Sequence, residues 1–573
     1  MTEVIFLLFR RMRAPLVVLI LAYAIATIGL VLMPGRTPGG EPWHMSLFHA
    51  FYVVSYTGPT IGFGEIPYEF TAAQRLWTLF AIYTTVFAWL YAIGTLLAIL
   101  QDPAFRRVVS VSNFRRSVRR LGRPFYIVCG FGENGALLVQ ALTEEGIQTV
   151  VVDSDQDRID ALKVDPLAAD VPGLCADASD PEVLTTAGLK RPDCAGVIAV
   201  SRTEETTLSI AVASRLLAPE VPVICRARYR DTEANLASFG TKHIINPFDT
   251  FAERFALALR SPSMYLAYAW LTGIEHQPVA RPVVPPGGSW ILCGYGRFGK
   301  ALRERLSREG LSTIVIEADP AGTGAPLGTV VGRGTEAHTL EEAGIGDADG
   351  IIAGTDSDPN NLSIILTAKA LQPGLFTVAR QVRGHNQPIF EAADIDLILD
   401  AGTIFTREVL GLITTPLLHD FLRRIRDQDE DWANVLISRI SAVTTEALPE
   451  TWDIEVTAED SPALLNALAR GQEVRLRHLL TDPRQREAWL PALPLLLKRG
   501  EEVRLLPEIN QPLHQGDRLL FCGSNGSPRL MGWTTVDGHL FAYVATGEVR
   551  PAGLVWDWLA RRGNGAKETG PHP

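Results

Sequence analysis

The sequence has few cysteines, and no two of them are spaced as a Cys-x-x-Cys pair. Its 6 cysteines fall mostly in apolar, strand-like runs, so we expect buried, reduced thiols rather than a zinc site. No apolar segment carries regularly spaced arginines, which excludes a voltage sensor. Lysine is absent from residues 1–123, where arginines outnumber acidic residues, while the rest of the chain is acidic within a net charge of −11. An acidic soluble portion argues against nucleic acid as a partner.

Two long runs without any charge are present, residues 14–33 and residues 76–100. At about 1.5 Å per residue, each is long enough to cross a hydrocarbon core of about 30 Å as a helix. The first run alone could be a signal peptide, but a second span follows it. Arginines cluster before the first span and after the second. The positive-inside rule therefore predicts a multi-pass protein of the cell (inner) membrane with both termini cytoplasmic.

Residues 60–64, between the two spans, form a Thr-Ile-Gly-Phe-Gly run. Its two glycines tolerate backbone angles that other residues avoid, so the run can stay extended with carbonyl oxygens facing one axis. Four such loops would replace the water shell of a potassium ion, which requires a homotetramer. The apolar residues 45–56 before the run are long enough for a short pore helix. The residues expected to form the selectivity filter are Thr60, Ile61, Gly62, Phe63 and Gly64, with K+ bound at the first four.

The run resembles the selectivity filter of the potassium channel family, which usually reads Thr-Val-Gly-Tyr-Gly-Asp. The resemblance implies a tetrameric pore lined by the second span. Gly58 and Pro59 depart from the family pattern, which usually has a small residue and Thr there. Pro59 removes a backbone donor, which puts strict selectivity for potassium over sodium in question. The family's hinge glycine is missing from its usual place, so Gly94 becomes the gate candidate, with close helix packing in lipid as its other explanation.

A first glycine motif follows a buried-strand pattern at residues 125–129. It precedes a helical pattern and a second strand that ends in an acid, which is the context in which Gly-x-Gly-x-x-Gly binds dinucleotides. The helix N-terminus attracts phosphates. The acid, 18 residues after the third glycine, can bind ribose hydroxyls and would repel a 2′-phosphate. The expected nucleotide-binding residues are Gly130, Gly132, Glu133, Asn134, Gly135 and Asp153.

The same unit recurs 164 residues later, again with an acid 18 residues after its third glycine. One isolated motif would be weak evidence, but two copies in strand context with matching acids are strong. Each copy then shows the same order of further strands. The expected nucleotide-binding residues of the second copy are Gly294, Gly296, Arg297, Phe298, Gly299 and Glu317.

The repeated pattern over residues 124–420 resembles the RCK domain, the regulator of potassium conductance. The resemblance implies paired domains, eight of which form a gating ring under a tetrameric pore, and a regulatory NAD, ADP or ATP ligand. It also implies a nucleotide contact at Asp177, with Arg333 at the matching place in the second copy. Either copy could instead be a Rossmann scaffold that has lost its ligand, and we expect the first copy to be the better binder.

Two acidic clusters could serve Ca2+, residues 427–431 and the aspartates of 153–157. Oxygen ligands suit this ion. Neither cluster fits an EF-hand loop, so a solvated acidic face is the simpler interpretation. Calcium stays a possible ligand without assigned residues.

The expected fold is a membrane α-helical pore domain joined to two α/β Rossmann-like RCK domains and a small C-terminal α+β subdomain. The basic linker either marks topology or also touches membrane lipid. A Pro/Gly-rich joint at 282–288 separates the repeats, and residues 562–573 read as disordered. The expected domains are 1–104 (pore), 105–123 (basic linker), 124–281 and 288–430 (RCK), 431–527 (RCK C-terminal-like) and 528–573 (tail).

These features predict a ligand-gated, potassium-selective channel without enzymatic activity. One alternative is a membrane-anchored NAD-dependent oxidoreductase, but neither glycine motif is followed by a separate catalytic domain. Another is a regulatory subunit of a potassium transporter, whose family lacks a pore of its own. Loss of ion flux on changing the filter glycines would separate the channel from both.

Overall fold

The computed structural model describes residues 2–273, 284–444 and 447–547. Three expected segments lie wholly or partly outside these residues. They are the start of the joint (282–283), the end of the first RCK domain (274–281) and the disordered C-terminus (562–573). The chain divides into two units, one of residues 1–123 with 172–174 and one of residues 124–171 with 175–573. The six cysteines form no disulfide, and five of them are buried.

The first unit contains two helices long and apolar enough to cross a membrane by length and composition, at Phe9–Leu32 and Ala72–Gln101. They pack along one another, and the indole of Trp77 donates a 3.0 Å hydrogen bond to the carbonyl oxygen of Ala26. The elements of this unit are helices α1 (Thr2–Leu32), α2 (Leu47–Thr57), α3 (Ala72–Gln101) and α4 (Pro103–Arg120), and strands β1 (Pro34–Arg36) and β2 (Pro42–His44).

Side-chain caps fix where these helices begin. Ser46 caps α2 by accepting from the backbone N–H of His49. Thr71 and Gln74 form a reciprocal capping box at the start of α3. Asp102 ends α3, caps α4 and forms an ion pair with Arg11 of α1. The ends of both apolar helices are therefore tied together where α4 begins.

The next part of the chain forms a six-stranded sheet in the order β5-β4-β3-β6-β7-β8, in which the pairs from β4 to β8 are parallel. This is the doubly wound α/β arrangement. Its strands are β3 (Phe125–Cys129), β4 (Gln148–Asp153), β5 (Gly173–Cys175), β6 (Cys194–Ala199), β7 (Val223–Arg226) and β8 (His243–Ile245). Its helices are α5 (Glu133–Glu144), α6 (Gln156–Leu162), α7 (Pro181–Ala187), α8 (Glu204–Leu217), α9 (Arg230–Ser238), α10 (Pro247–Arg260) and α11 (Pro262–Leu271).

A second parallel sheet repeats the order as β11-β10-β9-β12-β13-β14. Both predicted Rossmann-like domains are therefore confirmed. The strands are β9 (Ser289–Cys293), β10 (Ser312–Glu317), β11 (Val330–Val331), β12 (Gly350–Ala353), β13 (Phe376–Gln381) and β14 (Leu397–Asp400). The helices are α12 (Arg297–Arg308), α13 (Pro320–Thr323), α14 (Ala337–Glu342), α15 (Asp358–Leu371), α16 (Gln387–Ala392), α17 (Ala401–Thr414) and α18 (Pro416–Ile425), with 3-10 turns at Ile345–Asp347 and Gly384–Asn386.

The two Rossmann-like domains exchange helices. Phe251 and Phe255 of α10, which follows the first sheet, pack in the core of the second sheet beside Trp290. Phe405 and Val409 of α17, which follows the second sheet, are buried in the core of the first. Each domain thus completes the core of the other, so the pair forms one packed body.

The chain ends in an antiparallel four-stranded sheet of order β15-β18-β16-β17 flanked by helices. The expected tail beyond residue 527 is wrong in part, because α22 and α23 bury Met531 and Phe541 in the core of this subdomain. The elements are α19 (Glu430–Val443), β15 (Glu450–Glu455), α20 (Pro462–Ala469), α21 (Leu476–Leu480), β16 (Ala492–Arg499), β17 (Glu502–Leu505), β18 (Arg518–Gly523), α22 (Ser527–Val536) and α23 (Gly538–Thr546).

Candidate functional site

The first glycine loop joins β3 to α5 in a tight turn that leaves no space for side chains at Gly130 and Gly135. Gly130 has φ +111°, and a Cβ there would lie 2.9 Å from the carbonyl oxygen of Val200. A Cβ at Gly135 would lie 2.0 Å from the carbonyl oxygen of Gly130. No side chain caps α5 at Gly132, so its first backbone N–H groups are available to an anion.

Asp153, at the end of β4, is 5% exposed and holds this loop. Its carboxylate accepts from the N–H of Phe131 at 2.6 Å and from the N–H of Asp155 at 2.8 Å. The guanidinium of Arg158 lies 3.3 Å from the same carboxylate. A carboxylate fixed beside the glycine loop has the position that binds ribose hydroxyls in this fold.

A cavity of about 890 Å³ opens over this loop, large enough for a dinucleotide. All seven residues predicted for the first site line it together. They are Gly130, Gly132, Glu133, Asn134, Gly135, Asp153 and Asp177.

Arginines from both Rossmann-like domains also line this cavity, and sequence reasoning missed most of them. The partly buried Arg226 donates to the carbonyl oxygen of Ser201 at 3.2 Å. Burial, together with the neighbouring charge of Arg228, lowers the pKa of Arg226 to about 10. Cations that repel one another in a cavity favour an anionic ligand. The seven arginines are Arg158, Arg202, Arg226 and Arg228 of the first domain and Arg297, Arg380 and Arg383 of the second.

The sequence does contain a signal that places some of these arginines near the glycine loop. Arg226 ends β7 and Arg380 lies near the end of β13. The carboxyl ends of parallel strands meet at the edge of the sheet that carries the glycine loop. The contribution of Arg297 had no such signal, because it depends on how the two domains pair.

The second glycine loop has the same backbone but different surroundings. Gly294 has φ +94°, and Glu317 accepts from the N–H of Tyr295 at 2.5 Å. A cavity of about 1020 Å³ lies nearby. Among the residues predicted for the second copy, only Gly296 and Arg297 line this cavity within the described chain. The remaining ones, Gly294, Phe298, Gly299, Glu317 and Arg333, are not brought together around it.

Phe298 corrects one expectation. Its side chain is fully buried and packs against Phe248 and Phe251 of α10. A side chain in the shared core cannot contact a nucleotide, so only its backbone N–H at the start of α12 is left for that role.

The two copies differ in charge at one equivalent position. The β6–β7 and β12–β13 registers align Arg202 with Asp356 and Arg226 with Arg380. In the second copy Asp356 forms an ion pair with Arg380. In the first copy an arginine stands in place of that aspartate. The first site is therefore more cationic and better suited to phosphate groups.

The Thr-Ile-Gly-Phe-Gly run follows α2 directly. Thr60, Gly62 and Gly64 all have positive φ angles, of 66°, 66° and 94°. The hydroxyl of Tyr56 donates to the carbonyl oxygen of Gly64 at 2.5 Å. The ring of Phe63 stacks on Tyr52 and meets Tyr56 edge-on.

The residues flanking the run are also held. Glu65 accepts from Arg75 of α3 at 2.9 Å and from the N–H of Phe70 at 2.8 Å. Gly58, one of the departures from the family pattern, fits under a hydrogen bond between Tyr23 and Trp89, and a Cβ there would lie 2.2 Å from the Tyr23 hydroxyl. A glycine is therefore needed at position 58 for packing.

The gate candidate Gly94 lies in α3, where a Cβ would meet nothing within 4 Å in this chain. Within one copy of the described chain, packing therefore gives no reason for a glycine there.

The acidic run 427–431 has structural roles, because Asp429 caps α19 and Glu430 accepts from the N–H of Ser263 at 3.2 Å. Among the described residues, no group of three or more His, Cys, Asp or Glu side chains could hold a metal.

In comparisons with known proteins, both repeats match the same family model. The TrkA-N domain model matches residues 126–247 and 290–400. Potassium channel protein 1 of Methanocaldococcus jannaschii is 26% identical over 148 residues, which is 25% of this chain and 44% of the relative. The Trk system potassium uptake protein TrkA homolog of Methanothermobacter thermautotrophicus is 30% identical over 138 residues, 23% of this chain and 63% of the relative. The chain thus matches less than two thirds of either relative.

Solved structures similar to this chain include "GsuK channel bound to NAD", with 15% identity and a TM-score of 0.48 over 92% of this chain and 98% of that one. "Crystal structure of the GsuK bound to ADP" has 19% identity and a TM-score of 0.42 over 72% of this chain and 99% of that one.

Proposed function

We propose that this chain, which carries two TrkA-N domains and is related to potassium channel proteins, is a potassium-selective channel gated by a nucleotide. The pore domain is assigned to residues 1–104 and the linker to 105–123. The two RCK domains are assigned to 124–281 and 288–430, followed by the C-terminal subdomain. The chain functions as a homotetramer in the cell membrane and has no enzymatic activity of its own.

One observation carries the ligand assignment: seven arginines from two domains line the cavity that holds every residue predicted for the first site. Asp153 would bind a ribose, and the first turn of α5 would bind phosphate. NAD and the adenine nucleotides ADP and ATP combine these groups. The first copy is therefore the regulatory site.

Ligand binding would act on the pairing of the two domains. Arg297, which packs over Tyr229 and Phe248 of the first domain, also lines the first cavity. A phosphate bound among arginines of both domains removes their mutual repulsion and favours the arrangement that brings them together. The nucleotide can shift the gate only by its difference in affinity between two such arrangements.

The pore is assigned to four copies of residues 60–64. Their backbone carbonyls would coordinate K+ in place of water, with α3 lining the pore and leading through Asp102 into the linker. Gly94 is kept as the candidate hinge. Arginines of the linker would face anionic lipid at the cytoplasmic surface.

The test is flux from liposomes that contain the purified full-length protein. We expect potassium flux above a sodium control, and a change of that flux on adding NAD. Gly62→Ala should abolish flux. Gly40→Ala is the matched control, because Gly40 also has a positive φ and open space around it, and it lies outside the run.

The nucleotide arm uses Arg226→Gln, which should remove the NAD response and leave basal flux. Lys190→Gln is its control, because Lys190 is exposed and does not line the first cavity within the described chain. Flux without potassium selectivity, or flux that survives Gly62→Ala, would reject the pore. NAD binding without flux would instead favour a regulatory subunit or an oxidoreductase.

A further inference from the structure

A second cluster of arginines surrounds a cavity of about 220 Å³, formed by α10, α11, α12 and the end of α18. We call it the arginine cavity. Neither glycine loop contributes to it, although Asp427 of the acidic run 427–431 is part of its lining. It contains five arginines, Arg254, Arg260, Arg305, Arg308 and Arg426.

The lining carries three acids against five arginines. Two acids outside the lining, Glu304 and Glu408, pair with Arg308 and Arg254. Glu253 is shared by two arginines, since one oxygen accepts from Arg305 at 2.6 Å and the other from Arg426 at 2.7 Å. Arg260 donates to a neutral acceptor, the carbonyl oxygen of Arg426, at 3.1 Å. The other two acids of the lining, Glu309 and Asp427, are exposed to solvent, which screens them.

Donor groups of the same arginines lack acceptors. The Nε atoms of Arg254 and Arg305 are buried and have no hydrogen-bond partner in the structure. One terminal nitrogen of Arg254, Nη2, donates to both Glu408 and Tyr268. A buried N–H without an acceptor costs free energy, so these guanidinium groups are under-satisfied.

We propose that the arginine cavity binds a small, doubly charged oxyanion of the phosphate class. The planar guanidinium fork suits the oxygens of such an ion, and two or three forks around one ion give charge-assisted hydrogen bonds. The size of the cavity sets an upper limit on the ligand. The volume of the cavity lies below the range of volumes found for cavities that hold drug-sized molecules, so a whole nucleotide does not fit.

The position of the site gives the anion a structural effect. Arg254 and Arg260 belong to α10, which follows the first sheet, and Arg305 and Arg308 belong to α12 of the second domain. A bound dianion offsets repulsion between these helices. It therefore stabilises the pairing of the two domains by mass action, independently of the nucleotide site.

The test measures binding of radiolabelled inorganic phosphate to the full-length protein in detergent, with NAD at saturating concentration. We expect saturable binding of one phosphate per chain, a higher thermal unfolding midpoint with phosphate, and no competition by NAD. The double variant Arg260→Gln/Arg426→Gln should bind phosphate at least about tenfold more weakly, as the loss of a charge-assisted contact implies.

The control variant is Arg424→Gln, an exposed arginine of α18 that does not line the cavity. It should bind phosphate like the natural chain. If the double variant fails to fold, Arg260→Gln alone replaces it, since Arg260 is exposed and makes no side-chain ion pair in the structure. Non-saturable binding, unchanged affinity in the variants, or displacement of phosphate by NAD would each overturn the proposal.

Discussion

The hydroxyl group of Tyr56 donates a hydrogen bond of 2.5 Å to the carbonyl oxygen of Gly64. Tyr56 is 5% exposed, so its position is fixed by packing within α2 and its neighbours. This single bond ties the end of the Thr-Ile-Gly-Phe-Gly run back to the helix before it. The conformation of the run therefore depends on a side chain outside the run.

Tyr56→Phe should loosen the outer end of the proposed filter. The ring and its edge-on contact with Phe63 are kept, and only the hydrogen bond is lost, worth about 1 kcal/mol. We expect the ratio of potassium to sodium flux in liposomes to fall about fivefold. Tyr52→Phe is the control, because its ring also contacts Phe63. An unchanged ratio in Tyr56→Phe would show that the hydroxyl does not support selectivity.

Arg202→Asp should weaken nucleotide binding in the first cavity. The substitution gives the first copy an aspartate at the position equivalent to Asp356. In the second copy, Asp356 pairs with Arg380. Loss of a charge-assisted contact to phosphate predicts a drop in ADP affinity of about 10- to 100-fold, measured by calorimetry on the full-length protein.

Lys190→Asp is the matched control for that change. Lys190 is an exposed cation of the same domain and does not line the cavity. Equal losses in both variants would mean that net charge, rather than a contact at position 202, sets the affinity.

Phe405→Ala should destabilise the first Rossmann-like domain, although the residue follows the second sheet. Its side chain is fully buried among residues of the first sheet and its helices. Deleting a buried phenyl ring costs about 3–5 kcal/mol, measurable by chemical denaturation. Phe239→Ala, at a residue 43% exposed, should cost much less. A small loss in Phe405→Ala would contradict the helix exchange.

The carboxyl group of Asp453 should make the stability of the protein depend on pH. It lies on β15 and accepts from the N–H of Leu417 in α18 at 3.2 Å. Burial raises the pKa of Asp453 to about 6, although this hydrogen bond and Arg518 act in the opposite direction. The folded state holds the proton of Asp453 more tightly than the unfolded state does. The contribution of this group to the free energy of unfolding is therefore full below about pH 4 and is lost as pH rises through 6.

Asp453→Asn should therefore be more stable than the natural chain at pH 8, by about 1–3 kcal/mol, and equal to it near pH 4. The amide oxygen can still accept from the N–H of Leu417, so this hydrogen bond is kept. Thermal unfolding at both pH values measures the difference. A variant less stable at pH 8 would show that the charged carboxylate stabilises α18 more than its burial costs.

Local patterns made much of this molecule predictable. The glycine motifs with strands before and after them identified two Rossmann-like domains, and the match of both repeats to TrkA-N confirms the resemblance to potassium channels with RCK domains. The acids at 153 and 317 lie beside their loops for the same local reason. The filter, the domain limits and the gate stay predictions.

Contacts distant in sequence were not predictable in the same way. Phe298 sits in a glycine motif yet belongs to the core, because α10 from the other domain covers it. The arginines that reach the first cavity from the second domain depend on the same pairing. A motif fixes the backbone of its own loop, whereas the residues opposite it are set by tertiary structure.

The exchange of α10 and α17 also has a consequence for synthesis on the ribosome. The first Rossmann-like domain stays incomplete until a helix encoded after the whole second sheet has emerged. During that interval, the apolar surface that later receives Phe405 and Val409 stays exposed to solvent. We expect the nascent first repeat to be the part of this chain most dependent on chaperones.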